Sequence, residues 1–250
     1  MSMMREILGD TFDIQVRCLC PTQIGAGAMR LRQWSIGVLR ERGHFVLDFA
    51  GPEFGRLFHW YSCLTAQDYF VASAEERGEA VKDMAARRAA FNLGGSATKR
   101  LRRSALPDHL SKALTPGGAC RLEGYRRLMT TAPWKDSPAL VCSIDQNPDS
   151  RQRLKTMVPT LLRSSDLVLI KSNNIEVGDG LLLTANEHLN VMGWPMYDES
   201  KVNLLRDVHT QLEPFFKKQL AGNGMHVGIA GAVLLFLMAS LVLNEEGGLE

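Results

Sequence analysis

Residues Val227–Leu243 (VGIAGAVLLFLMASLVL) form 17 consecutive positions without a charge, and this run constrains the fold more than anything else in the sequence. Such a run must leave water, into either a bilayer or a protein core. Its length lies at the lower end of the ~17–25 residues that span a membrane. Lys217 and Lys218 precede it and Glu245 and Glu246 follow it, which fits a tail anchor with its positive side inward. The run is also rich in small residues (Gly228, Ala230, Gly231, Ala232, Ala239, Ser240), and a helix apolar all round equally describes one buried within a domain. Hydropathy leaves both readings open.

The rest of the chain is ordinary globular sequence. With 45% hydrophobic and 22% charged residues over 250 positions, disorder, collagen-like repeats and disulfide scaffolds are excluded. Lys and Arg number 29 against 27 Asp and Glu, so a net charge of +2 does not indicate a polyanionic partner and any electrostatic argument is local. Cys18, Cys20, Cys63, Cys120 and Cys142 form an odd set without a Cys-x-x-Cys pair, which argues against a zinc module or a secreted framework. Met1–Asp10 carries Arg5, Glu6 and Asp10 with no apolar run, so no secretory signal is expected. The expected compartment is intracellular and reducing, the nucleus in a eukaryote, and no metal site is expected.

Periodicity predicts a short helix over Met3–Leu8 and a strand over Phe12–Cys20, where Ile14, Val16 and Cys18 alternate with Gln15 and Arg17. A loop starting at Pro21, with a Gly25-Ala26-Gly27 core, carries Arg30 and Arg32 into a second strand over Gln33–Leu39. Ala72–Ala90 reads as an exposed helix, with Glu75, Glu76, Glu79 and Asp83 early and Arg87 and Arg88 late. Strands are expected at Ala139–Ile144 and Asp166–Lys171, and helices at Ala185–Met192 and Val202–Gln211. Thr184 and Glu187 have capping-box spacing for the first of these helices.

Between Arg87 and Arg127 ten basic residues meet two acidic ones, Asp108 and Glu123. Gly94, Gly95, Ser96, Pro107, Pro116, Gly117 and Gly118 make this segment read as loop-rich. It is either a nucleic-acid surface or a flexible basic linker, and no RNA-binding aromatic motif, zinc finger or zipper decides between them.

Four stretches, in one order, resemble the cytosine-5 DNA methyltransferases. Ile24–Gly37 resembles that family's Gly-Val-Pro-Gln-x-Arg-x-Arg segment and following strand. Pro159-Thr160-Leu161-Leu162 resembles the Pro-Thr-Leu segment closing the target-recognition region. Leu183–Pro195 resembles the Leu-Thr-x-x-Glu helix and its Met-Gly-Phe-Pro end, and Ala221–His226 with the apolar run resembles the Gly-Asn-x-Val segment and the helix it opens. The resemblance implies an α/β fold made of the last strands and closing helix of a Rossmann-like methyltransferase domain plus a small, basic, loop-rich target-recognition region. The division it implies is 1–40 for the terminal catalytic strands, 41–165 for target recognition and 166–250 for the return to the catalytic domain.

The reaction implied for the class is methyl transfer from S-adenosylmethionine to cytosine in DNA. An enzyme acting on a base flips it from the duplex and holds its polar edge. The resemblance assigns flipped-base and phosphate contacts to Arg30 and Arg32, which read otherwise as two surface arginines at a strand start. It assigns donor contacts to Gly222, Asn223 and Gly224, where Asn223 reads otherwise as a plain helix N-cap. Lys99, Arg100, Arg102, Arg103, Arg126 and Arg127 are the expected DNA contacts. Glu187 reads as a structural cap rather than a catalytic acid, and the apolar run becomes a helix packed on the catalytic sheet rather than a membrane span.

The chain departs from the family where the chemistry begins. It contains no Pro-Cys nucleophile loop, no Glu-Asn-Val acid and no glycine-rich donor turn; Cys20-Pro21 is the reverse of Pro-Cys and precedes the wrong motif. Gly27 and Ala28 stand where the family has Pro and Gln, and Leu182 where it often has Arg. Cytosine carbon 5 is a poor nucleophile until a thiolate adds to carbon 6, so the chain is expected to be inactive by itself. Expected partners are DNA and a complementing chain carrying the N-terminal half. A catalytically dead DNA-binding or split subunit is the alternative from another class, and a tail-anchored protein the third.

Overall fold

Phe12–Leu19 is strand β1, with Ile14 and Val16 buried on one face and Leu19 on the other, while Cys18, on the face of Ile14 and Val16, is exposed. It pairs antiparallel with β2 (Arg32–Leu39) in the register Phe12↔Leu39 to Leu19↔Arg32. The computed structural model describes residues 6–59, 64–90, 110, 113–148, 156–171, 180–198 and 211–244. The chain is a mixed α/β protein with two compact units, Met1–Cys63 with Met225–Glu250, and Leu64–Gly224. All strand pairings among the described residues are antiparallel.

In the first unit the β1–β2 ribbon is followed by β3 (Gly43–Phe45) and helix α1 (Pro52–Phe58). The chain returns to this unit as a helix over Val227–Ser240 and strand β7 (Leu241–Leu243), which pairs with β3. Leu19, Ile24, Ile36, Phe49, Phe54, Ile229, Val233 and Phe236 form one apolar cluster, with the Phe49 and Phe54 rings edge to face at 5.4 Å. The apolar run is thus 14 residues of helix and a short strand. Ile229, Ala232, Val233, Phe236 and Ser240 share its buried face, at helical spacing. No single helix among the described residues is long and apolar enough to cross a membrane.

The second unit opens with helix α2 (Ala74–Ala90) and continues through α3 (Pro116–Met129) to the sheet β4 (Ala139–Ser143), β5 (Leu167–Lys171) and β6 (Gly180–Leu182), in that order. Helices α4 (Ala185–Val191) and α5 (Pro214–Asn223) then pack on each other. The return helix Val227–Ser240 is α6. Leu110, Leu122, Tyr125, Leu140, Cys142, Val168 and Leu182 belong to this unit's own core.

One expectation changes here. The segment read as loop-rich contains α3, because Thr115 caps it by accepting from the Gly118 N–H at 3.0 Å and Pro116 occupies its first turn, where a missing N–H costs nothing. The compact units divide at 63/64 and 224/225. Residues 41–59 join the first unit because Phe49 and Phe54 lie in its core, and 166–224 stay in the second because β5, β6 and α4 lie there. The helix expected over Val202–Gln211 falls, up to residue 210, outside the described residues, as do Lys99, Arg100, Arg102 and Arg103.

Candidate functional site

In the first unit the arginine loop starts with a 3-10 turn, Pro21–Ile24, closed by Gly25 at φ 83°, a left-handed backbone that favours glycine. Residues 24–28 are buried, so the small side chains serve packing. Cys20 anchors both ends of the loop: its Sγ accepts the Arg30 N–H at 3.4 Å and lies 3.9 Å from the Ala28 carbonyl. The two arginines fare differently. Arg30 is sunk to 5% exposure, whereas Arg32 is exposed and donates to the Leu31 carbonyl at 3.2 Å. Burial, and then the positive charge of Arg32, hold the Arg30 guanidinium below its usual pKa.

His226 stands at the start of α6, where its Nδ1 accepts the Ile229 N–H at 3.4 Å. Burial, and then Arg30, push its pKa down to about 4, so it is neutral near pH 7 with its proton on Nε2. His226 therefore caps α6. Asn223, read as that cap, is the last residue of α5 instead.

Of the residues given donor contacts by the resemblance, Gly222 and Gly224 have protein backbone close against them, while Asn223 is exposed. A Cβ on Gly222 would run into the backbone of Leu162 and Arg163, and one on Gly224 into the Leu220 carbonyl. The space left by the missing side chains at Gly222 and Gly224 is taken by protein backbone. Gly222 instead brings α5 onto the Pro159–Leu162 segment, so two of the quoted motifs meet in one packing contact, and α4, the third, packs on α5.

Glu187 is fully buried. Its carboxylate takes a bidentate ion pair from Arg77 at 2.7 and 3.0 Å, the Ala72 N–H at 2.8 Å and the Thr184 N–H at 2.8 Å, while Thr184 Oγ1 accepts the Glu187 N–H. With its acceptor positions taken it is structural, as the capping-box spacing suggests. Sequence reasoning missed its partner, because Arg77 lies 110 residues away in an otherwise exposed-looking helix.

Next to it, Glu76 accepts from Thr184 Oγ1 (2.8 Å), Tyr197 OH (2.8 Å) and Asn186 Nδ2 (3.1 Å), and Lys217 Nζ donates to Asn186 Oδ1 at 2.8 Å. Burial holds Lys217 below its usual pKa, and burial first, then Glu76, pushes Tyr197 far above its own. A cleft of about 250 Å³ is bordered by Glu76, Asp83, Arg87, Asn186, Lys217 and Lys218. Deeper, Asp166 pairs with Lys218 at 2.7 Å and Arg88 at 3.4 Å; burial opposes its charge, but Lys218 and the arginines outweigh it and hold the carboxyl low. His188 lies between the Thr184 and Ser165 carbonyls at 2.7 and 3.3 Å, and burial, then Lys218, bring it to about 4.

The expected DNA contacts on α3 also diverge. Arg127 is 79% exposed in its side chain and pairs with Glu123 at 3.3 Å, but Arg126 is buried to 5%, on the face that carries Leu122, Tyr125 and Met129 into the core. Its guanidinium is therefore not displayed to a phosphate. Burial pushes the Cys142 thiol far above its ordinary pKa, so it is no nucleophile. Among the described residues no three His, Cys, Asp or Glu side chains come together as metal ligands.

No protein-family model matches the chain, and no curated protein matches it. Comparison with solved structures finds similarity to the Entamoeba histolytica methyltransferase EhMeth, at 12% identity and a TM-score of 0.42, over 95% of this chain and 57% of that one. The chain thus spans little more than half the length of that structure.

Proposed function

We propose that the chain is the C-terminal portion of a cytosine-5 DNA methyltransferase-like protein and that, as it stands, it binds DNA without methylating it. The observation that carries the reading is the arginine loop, with one guanidinium buried in the loop's packing and the next exposed two residues on. Arg32 is free to meet a phosphate, a contact that positions a duplex without reading its sequence. The resemblance gives Arg30 the polar edge of an extruded base, a contact that requires the loop packing around its buried guanidinium to open. The packing of Gly222 on the Pro159–Leu162 segment supports the same reading, since both stretches carry the resemblance.

In the class, S-adenosylmethionine supplies the methyl group. No step through it is assigned to this chain, where backbone lies against Gly222 and Gly224. These 250 residues hold no Pro-Cys or Glu-Asn-Val segment, so the chemistry of the class needs groups from outside them, and a split or non-catalytic subunit is the alternative reading. The Rossmann-like sheet of the family belongs to this proposal, with β1 and β2 as its terminal strands.

The test is fluorescence anisotropy of a labelled cytosine-containing duplex titrated with the full chain at several salt concentrations. The logarithm of the affinity should fall linearly with the logarithm of salt, and Arg32→Ala should reduce the slope by about 1. Absence of binding at low salt, or a slope unchanged by the substitution, overturns the proposal. Transfer of labelled methyl to DNA by the chain alone would contradict its inactivity.

A further inference from the structure

Among the described residues nothing pairs with the outer edge of β1. Arg40 donates its N–H to the Thr11 carbonyl one step beyond the β1–β2 register, so 11↔40 is a hydrogen-bonded pair and the odd residues of β1 face β2. Phe12, Ile14, Val16 and Cys18 therefore turn their N–H and C=O groups away from β2, and these groups meet no partner among the described residues. Cys18 is exposed, and an open groove of about 600 Å³ borders Phe12–Gln15. An unpaired strand edge is a template for another strand.

The sequence of that edge selects its occupant. We propose that β1 pairs antiparallel with β1 of a second copy of this chain, about a two-fold axis through Gln15, making a four-stranded sheet in the order β2, β1, β1 of the partner, β2 of the partner. In this register Asp13 stands opposite the second copy's Arg17, and Arg17 opposite its Asp13. Ile14 stands opposite Val16, and Phe12 opposite Cys18.

Parity supports the register. Hydrogen-bonded pairs across the edge must join outward-facing residues, and the pairs Phe12 with Cys18 and Ile14 with Val16 do so. A slip of one residue would set outward residues against inward ones. Moving the axis to Ile14 would put Asp13 opposite Gln15, and moving it to Val16 would put Gln15 opposite Arg17; both lose the opposite-charge match. Asp13 and Arg17 fall at the non-hydrogen-bonded positions, where facing side chains come closest. Their own-chain contacts fix them on one face: Asp13 accepts the Phe45 N–H at 3.3 Å, and Arg17 donates to the Phe49 and Gly51 carbonyls at 2.8 and 2.6 Å.

Sedimentation of the full chain at micromolar concentrations tests the proposal. The wild type should run at twice its 27.7 kDa mass. Cys18→Pro removes an outward N–H and leaves the β2 ladder intact, because proline is tolerated on a strand edge whose N–H faces away. It should raise the dimer dissociation constant at least about tenfold. A second variant guards against misfolding: Gln15→Cys places two thiols on the axis and should give a dimer cross-linked through position 15 on oxidation and released by reductant. A monomeric wild type, a Cys18→Pro variant as dimeric as the wild type, or a wild-type dimer whose Gln15→Cys form does not cross-link through that position would each overturn the inference.

Discussion

The two units are held together by different physics. The first unit is joined by rings and aliphatic side chains, with Phe49, Phe54 and Phe236 in mutual contact. The second adds a buried polar framework, Glu187 with Arg77 and Asp166 with Lys218 and Arg88, beside its apolar sheet core. Apolar side chains carry no titratable group, whereas a buried charge is costly once its partner is removed. The same contrast separates the two arginine-loop roles from the Thr184–Glu187 helix. The loop keeps one cation at the surface, and the helix uses its carboxylate entirely for architecture.

Glu187→Ala gives the largest expected effect on stability. It strands the Arg77 guanidinium in a site where the side chains are 11% and 0% exposed, and should cost about 3–5 kcal/mol in urea unfolding. Replacing both partners by methionine should cost less than either single change; equal or greater loss would show that the pair does not act as a unit. Phe236→Ala empties the centre of the first unit and should cost about 3–4 kcal/mol through lost transfer energy and a cavity. A loss under 1 kcal/mol would break the contrast between the units.

Acidification sharpens the comparison. His226 and His188 are each near pKa 4 in the folded chain against about 6.5 when unfolded. The unfolded state therefore binds more protons between these values, so stability is full above pH 6.5 and falls as the pH drops toward 4, by about 2–3 kcal/mol per histidine. In the second unit Asp145, whose carboxyl burial pushes up, offsets part of the loss on acidification. His226→Asn keeps a side-chain acceptor at the head of α6 and should flatten the first unit's pH profile, checked by thermal melts from pH 7 to 4. The smallest effect is Thr115→Ala, which removes the α3 cap and should cost about 1 kcal/mol.

Much of this was legible in the sequence where one element reports on itself. The alternate burial of Ile14 and Val16, the charge order of α2 and the Thr184–Glu187 spacing each read directly onto observed structure, whereas Cys18, expected to continue that alternation, is exposed. What was not legible depends on distant partners. Gly117 and Gly118 read as loop until Thr115 and Pro116 are seen to start a helix. The apolar run ends as β7 because β3, nearly 200 residues earlier, offers it an edge. Gly222 reads as a ligand contact until the Arg163 backbone is found against it, and Arg126 reads as a surface cation until its helix face is seen to be buried.

The arginine loop as a holder of an extruded base is the central claim, and one comparison tests it directly: the affinity of the full chain for a duplex carrying one unpaired cytosine against the same duplex fully paired. Flipping a paired base costs a few kcal/mol, so the unpaired duplex should bind at least about tenfold more tightly. Arg30→Lys should remove that preference, because it keeps the charge but loses the planar fork, while Arg32→Ala should weaken both duplexes alike. Equal affinity for the two duplexes in the wild type, or a preference that survives Arg30→Lys, would contradict the account.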